Sequence, residues 1–563
     1  MRIRLFVVLS SSSSSTTTLL LSLALALLLI RQEVACFTSL TSLPSSSPSS
    51  RTIRVYNNYN PTTSRNKKKI SSDITIITST RLSATTTELE DDVDDNVHTT
   101  GTVIHLNHAG ASPSPNTVLE RVIKHMKLEQ KLGGYAAAEL VKDELNSVYD
   151  KVCQLIHARN PHQEIALMES ATVAFTKIFY TIVYAIQQQN EKDKNSKQRN
   201  VILISDVEYA ANVVAICKFA TEYNWVVLSL PSSVVDGKST GIVDIEQLDK
   251  ILSGTYKYKD HGETTTKILD PDTIGLICIT HIPTNCGIIN PIEQIGQMIQ
   301  SYNDANSNNG DSDNIPSMYY IVDTCQSIGH VNVDVQTIQC HGLIGTGRKY
   351  LRGPRGTGFL YVSSSIVNDL IPNHIDHYGI PITLGVPSKL DDDGDNININ
   401  KVAINENNII QYQPRVGATR FEYWESNIAN KLGLGVAIQY CIDIGIDSIE
   451  ADIKSRSKYL RNKLKKLPKV NIYHGDDSTC GIVTFSIIGM EGDDIKNIKQ
   501  QLFASSDTYK FEVSTTQDTS TPIDSLIMDA PKLLIRVSVS YTTTTTEIDL
   551  FCIRLLQIIN GSN

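Results

Sequence analysis

The chain has 563 residues, 41% hydrophobic and 20% charged, with a formal net charge of −9, an ordinary composition for a globular protein long enough for more than one domain. The charge is uneven: residues 1–87 carry 10 Lys/Arg against 2 acids, or +8, and the remaining 41 basic and 58 acidic residues carry −17. An acidic body argues against a nucleic-acid partner, since affinity for phosphate backbones comes mainly from clustered Lys/Arg.

At the N-terminus, Arg2 and Arg4 precede a 12-residue apolar run at 19–30, and Val34-Ala35-Cys36 offers small residues for cleavage before Phe37. Twelve apolar residues fall short of the ~20 that span a bilayer. Residues 1–36 therefore read as a signal peptide, with no stable membrane insertion after processing; an uncleaved anchor is the alternative. Residues 38–87 are rich in Ser, Thr, Arg and Lys and nearly free of acids, which is transit-peptide composition. An acidic linker follows at 88–96, so 37–100 is expected to be a transit-peptide-like disordered segment. Signal peptide, transit peptide and a Phe after the cleavage point together resemble the bipartite plastid presequence of algae with secondary plastids. The alternative is the secretory pathway, whose oxidising exterior suits ten unpaired-looking cysteines poorly.

From about residue 101, β-rich runs at 201–204, 225–230, 274–280, 319–322 and 358–362 alternate with helix-like segments at 210–222 and 291–302. That alternation predicts βαβ units and a parallel sheet covered on both faces. Polar inserts at 187–200, 254–266, 303–314 and 391–408 read as disordered surface loops. Beyond about 380 the pattern becomes helices at 426–444 and 449–467, strands at 481–487 and 532–539, and a last helix. The expected division is a large domain with an N-terminal arm over 101–380 and a small α+β domain over 381–563. The 10 cysteines are scattered, with no C-x-x-C pair and no Cys/His cluster, so neither a disulfide framework nor a metal site is expected.

Chemistry concentrates in three segments. Glu169-Ser170-Ala171-Thr172 ends a strand-like run and opens a helix, whose free N–H groups and positive dipole end suit a phosphate; an ordinary Ser cap is the default. Ile321-Val322-Asp323-Thr324-Cys325-Gln326-Ser327 reads as a buried strand delivering an aspartate to a site. Lys349 lies 26 residues after Asp323, within Gly345-Thr346-Gly347-Arg348-Lys349, ahead of a Gly/Pro-rich turn and a second apolar run. By default a lone lysine is a solvated surface charge and a strand-end aspartate a cap. Yet an acid to hold a pyridinium nitrogen and a lysine to form a Schiff base are the pair that pyridoxal-phosphate chemistry requires.

These residues resemble the class V aminotransferases, the group that includes cysteine desulfurases, isopenicillin-N-epimerase-like proteins and hercynylcysteine sulfoxide lyases. The resemblance covers residues 102–560 and is densest over 278–362. It implies the fold-type-I architecture: α/β, a large domain whose mainly parallel sheet is flanked by helices, and a small α+β C-terminal domain. It also implies pyridoxal 5'-phosphate as cofactor, a small-molecule amino-acid substrate and a homodimer. Residue by residue, it makes Lys349 the Schiff-base lysine and Asp323 the partner of the ring nitrogen, with Gln326 on the phenolic oxygen. Ala171, Thr172, Thr346 and Arg348 match positions on the cofactor phosphate, and Thr284 a loop position facing the ring. Arg536 matches the arginine that clamps the substrate carboxylate, a task suited to a bidentate guanidinium. Arg420 and Asn107-His108 match segments of the epimerase-like and lyase branch assigned to substrate binding. Glu208-Tyr209-Ala210-Ala211-Asn212 matches the desulfurase segment Glu-His-His-Ala-Asn, whose ring-stacking second histidine is Ala210 here; Tyr209 and Phe175 are both left as stacking candidates. His281 reads as a structural histidine.

One departure narrows the activity. Desulfurases carry a mobile cysteine in the loop before the carboxylate-binding arginine, and here residues 513–519 contain none; a desulfurase needs that thiolate to accept sulfur. The expectation is therefore a C–S β-lyase on a cysteine-derived thioether or sulfoxide. The alternatives are an epimerase or aminotransferase of the same superfamily, a cysteine desulfurase, or a non-catalytic relative acting as a binding protein. The presequence carries its own test: a fluorescent fusion of the first hundred residues is expected in a plastid, and signal in the medium or at the plasma membrane would overturn that assignment.

Overall fold

The computed structural model describes residues 102–561 except 196, 237, 259–264, 307–315, 381–402, 405–409, 412–413, 474–479, 505–507, 518 and 524–532. The signal and transit segments, most of the insert at 391–408 and the middles of those at 254–266 and 303–314 lie outside the described residues.

Seven strands form the main sheet: β1 (Ile165–Met168), β2 (Val201–Ser205), β3 (Val226–Leu230), β4 (Ile274–Thr280), β5 (Tyr319–Asp323), β6 (Gly342–Thr346) and β7 (Gly358–Val362). Their order is β1-β7-β6-β5-β4-β2-β3. β7 runs antiparallel to both β6 and β1, and the other neighbouring pairs are parallel. Every residue of β4 to β7 is buried, so these strands read as continuous apolar runs without alternation, as expected for strands covered on both faces. Gly358 opens β7 where an added Cβ would stand 2.7 Å from the Gly345 carbonyl oxygen and 3.1 Å from the Ala171 nitrogen. Glycine there lets β6, β7 and the start of the helix Ala171–Lys192 meet.

That helix runs six residues into the insert at 187–200, which sequence reading assigned to a loop. Gln, Glu and Lys are good helix formers, and Asn190 anchors the end. Its amide donates to the Arg199 carbonyl (3.1 Å) and accepts from the Arg199 N–H (3.1 Å). Arg199 in turn donates to the carbonyls of Pro316 (2.8 Å) and Ser317 (3.0 Å).

A second, four-stranded antiparallel sheet joins Val470–Tyr473, Ile482–Ile487, Ile535–Ser538 and Ser514–Thr515 in that order. Its apolar side packs with the helices Ile446–Leu464 and Thr545–Ile559 through Phe485, Val537, Leu460 and Phe551. Two connections cross the expected boundary at 380. The strand Thr102–His105 pairs in parallel with Tyr509–Glu512, placing Ile104 and Leu106 in the C-terminal core. Conversely, the helix Ile428–Ile444 packs on Asn116–Leu132 and Lys142–Leu155. Among the described residues no single helix is long and apolar enough to cross a membrane.

Candidate functional site

Parallel strands end on one edge of a sheet, and ligands of open α/β sheets bind outside those carboxyl ends. Here Thr280 ends β4, Asp323 ends β5 and Thr346 ends β6, with Asp323 in register with Thr280. The helix N-terminus after β1 joins them. Ser170 caps it by accepting from the Val173 N–H (3.2 Å); the earlier N–H groups, at Ala171 and Thr172, have no place in the helix's own ladder, and both residues line a cavity. Thr284, Gln326, Arg348 and Lys349 line the same cavity. All eight residues expected to hold a cofactor are thus gathered around one space.

Asp323 is buried, and both carboxylate oxygens are held. Oδ2 accepts from Asn212 Nδ2 (3.0 Å) and Oδ1 from the Cys325 N–H (2.9 Å). Lys349 is 9% exposed, and its Nζ makes no hydrogen bond among the described residues. Burial pushes its pKa down to about 8; Cys325 and Asp323 oppose the shift, and Arg348 and Arg536 add to it. A buried amine so close to neutrality is a nucleophile and a proton acceptor.

Arg536 lies on the interior strand Ile535–Ser538, paired on both sides, and not on a sheet edge. Its Nη1 donates to the Thr284 carbonyl and hydroxyl (both 2.9 Å), and its Nη2 to Asn107 Oδ1 (3.3 Å). Gln326 Nε2 reaches the same Thr284 hydroxyl (3.1 Å) and the Ala109 carbonyl (3.0 Å). Thr284 therefore ties the cavity's amide to its buried arginine. Gln326 Oε1 and Arg536 Nε are buried without partners among the described residues, which marks polar capacity that a bound group would use. Arg348 donates through Nη1 to the Gly110 carbonyl.

Of the expected substrate residues, Arg536 reaches the cavity wall through Thr284 and Asn107 through Arg536, while Arg420 and His108 are not brought to it. Arg420 spends its guanidinium on the carbonyls of Arg415 (2.7 Å), Leu370 (2.9 Å) and Asn368 (3.1 Å) and on the Asn368 amide oxygen (3.1 Å). A buried guanidinium needs those acceptors, and they hold it as a brace of the backbone. His108 is buried too, bonded to Ser112 (2.9 Å) and set edge-on to His105. Burial pushes its pKa down to about 3, so it stays neutral. Asn107 meets the cavity through Arg536. Of the two stacking candidates, Tyr209 lines the cavity, whereas Phe175 is stacked on Phe179 inside the core.

Sequence reading passed over the roles of Glu208 and Asn212. Glu208 precedes the helix Ala210–Tyr223 and Asn212 sits in its first turn, so no helical periodicity marked them as a pair. Glu208 is fully buried and its oxygens accept from Asn212 Nδ2, Thr280 N–H and hydroxyl, and the Ser205 hydroxyl.

The donor set fits pyridoxal phosphate: free helix N–H groups and Arg348 for a phosphate, Asp323 for a ring nitrogen, and an unpaired lysine for an aldehyde. In cofactor-free protein, site-resolved reductive methylation should show Lys349 labelling with a midpoint near pH 8, against ~10.4 for an ordinary lysine; a midpoint near 10 would contradict the buried amine.

Comparison with known proteins gives the same answer. The model of the class V aminotransferases matches residues 104–376 and 401–551. A cysteine desulfurase of Wigglesworthia glossinidia brevipalpis is 24% identical over 465 residues, covering 81% of this chain and 92% of that protein. The structure of apo cysteine desulfurase from Thermococcus onnurineus NA1 superposes with a TM-score of 0.60 at 18% identity, over 82% of this chain and 95% of that one. The cystine C–S lyase C-DES, in complex with its product cysteine persulfide, superposes with a TM-score of 0.58 at 17% identity, over 80% and 97%. At such identities the superpositions establish the fold, and the family follows from the match over most of the chain: it belongs to the class V aminotransferases and is a pyridoxal-phosphate-dependent enzyme.

Proposed function

We propose that this enzyme is a C–S β-lyase acting on a cysteine-derived thioether or sulfoxide. The observation that carries the reading is the segment before Arg536. It has no cysteine between 513 and 522 and is pinned: Asn285 donates to the Gln517 carbonyl (2.7 Å) and the Thr521 hydroxyl (2.8 Å), and the Ala210 N–H to the Ser520 carbonyl (2.9 Å). A tethered segment without a thiol suits a reaction that releases sulfur rather than one that ferries it on the protein. Cys325 does line the cavity, but burial and then Asp323 push its thiol well above the usual range, so it is a poor sulfur acceptor.

When bound, pyridoxal phosphate supplies a carbonyl that takes up an amino group and a protonated ring that stores an electron pair. In this reading, Ala171, Thr172, Thr346 and Arg348 would hold the phosphate, Asp323 would hold the proton on the ring nitrogen, and Gln326 and Tyr209 would contact the ring. Arg536, set by Thr284 and Asn107, takes the substrate carboxylate. Lys349, displaced by substrate, accepts the Cα proton on Nζ; the Cβ–S bond then breaks with its electron pair on sulfur, and the three-carbon fragment yields pyruvate and ammonia with water. Incubation with cysteine thioethers and sulfoxides should release pyruvate, and Lys349→Ala should lower the rate by at least 10²-fold, the scale of positioned proton transfer. Alanine formation with persulfide on the protein would instead make it a desulfurase, the activity named for the Wigglesworthia relative. Deuterium entering Cα without pyruvate would make it an epimerase.

A homodimer is the assembly this reading expects. Leu119, Ile123 and Met126 are exposed one helical turn apart on Asn116–Leu132, and Leu132, Tyr135 and Leu140 are exposed further along the chain. A patch of that kind seeks a partner. Light scattering should give a dimer, which Ile123→Glu with Met126→Glu should shift to monomer; an unchanged dimer would place the interface elsewhere.

A further inference from the structure

A carboxylate buried behind the site has no part in the roles assigned above. Glu208 follows β2 and has no exposed surface. Four donors converge on its two oxygens: Asn212 Nδ2 (2.9 Å) and the Thr280 hydroxyl (2.6 Å) on Oε1, and the Thr280 N–H (3.0 Å) and Ser205 hydroxyl (3.0 Å) on Oε2. That set suits a carboxylate, which has about four acceptor positions; a glutamine would turn its own N–H groups toward two of the donors. A group needed only to tie β2 to β4 would not have to be an acid, and burying one is costly. Asn212 shows what the acid faces. Its single NH2 group donates one hydrogen to Glu208 and the other to Asp323 Oδ2 (3.0 Å), so one amide bridges two buried carboxyls.

We propose that Glu208 is a positioning residue that, through the Asn212 amide, fixes the orientation of Asp323 and adds a second carboxylate to the charge holding a proton on the cofactor's ring nitrogen. This rests on the reading of Asp323 as the ring-nitrogen partner. An aspartate alone in a site flanked by Arg348, Lys349 and Arg536 stands against three cationic groups. An ionised Glu208 would favour the ring proton from behind Asp323, through the Asn212 bridge. Burial raises Glu208 to about 7, with Asp323 adding to the shift and the hydrogen bonds of Asn212, Thr280 and Ser205 opposing it. The other titratable groups facing it are Cys278 on β4 and Tyr320 on β5, both held neutral by burial. Its charge is therefore balanced between burial and those hydrogen bonds, and the ring nitrogen should feel whether it is present.

The test uses holoenzyme loaded with pyridoxal phosphate carrying 15N in the ring, and follows the nitrogen resonance with pH. In Glu208→Gln the ring nitrogen should lose about tenfold in proton affinity, a downward shift of about one pH unit, with cofactor still bound. kcat should fall about tenfold with KM changed less than twofold. Asn212→Leu keeps the acid and cuts the bridge, so it should give a shift of the same sign, and it serves if Glu208→Gln fails to fold. A ring-nitrogen titration that stays at the wild-type position in a folded, cofactor-bound variant overturns the proposal. Asp323→Asn separates the two readings. If it too leaves the nitrogen unmoved, the role of Asp323 falls and the proposal with it; if Asp323→Asn shifts the nitrogen and the Glu208 and Asn212 variants do not, the proposal alone falls.

Discussion

The site depends on the shared direction of β4, β5 and β6. Because these strands are parallel and in register, the residues that end them, Thr280, Asp323 and Thr346, come out on one edge without any loop having to bring them there. The strand interiors are wholly apolar and buried on both faces, so the first polar side chain after each run is the first that can face a ligand. β7, the strand that runs the other way, brings Gly358 up to the start of the helix Ala171–Lys192 and so sets that helix end beside the strand ends.

Charge gives that edge its chemistry. Lys349 and Arg348 line a cavity in which Asp323 is the carboxylate, and Arg536 is bonded to the Thr284 that lines it, so the site favours anions. A helix N-terminus and a guanidinium are both groups suited to anions such as phosphate and carboxylate. The same crowding keeps the Lys349 amine from holding its proton as an exposed lysine would, since burial and two neighbouring guanidiniums act together. Reactivity here follows from desolvation rather than from a special partner for the nitrogen.

The substrate side is assembled by long-range packing. Asn107 and Arg536 are 429 residues apart and share a hydrogen bond. The link exists because Thr102–His105 joins Tyr509–Glu512, after which the Ser538 N–H bonds the Leu106 carbonyl (2.8 Å) and the Ser538 hydroxyl accepts from the Ala109 N–H (2.9 Å). The N-terminal arm is thereby laid across the C-terminal sheet, and the Arg536 guanidinium is held in place by Thr284 and Asn107, which lowers the ordering cost of any binding there.

The sequence by itself determined the parts that are local. Continuous apolar runs announced β4, β5 and β7 almost to the residue, because a strand buried on both faces leaves no polar position to blur its ends. The spacing of Asp323, Gln326 and Lys349 identified the chemistry, since those three lie within 26 residues and two turns. Only the tertiary structure decided the rest. A motif gives a residue's identity and not its direction, so Arg420 and His108 looked like ligands of substrate until packing turned them onto backbone carbonyls and a neighbouring serine. Glu208 and Asn212 stayed silent for the converse reason: what they do depends on Thr280 and Asp323, 72 and 111 residues downstream. No local pattern records a hydrogen bond that is made only when separate strands are laid side by side.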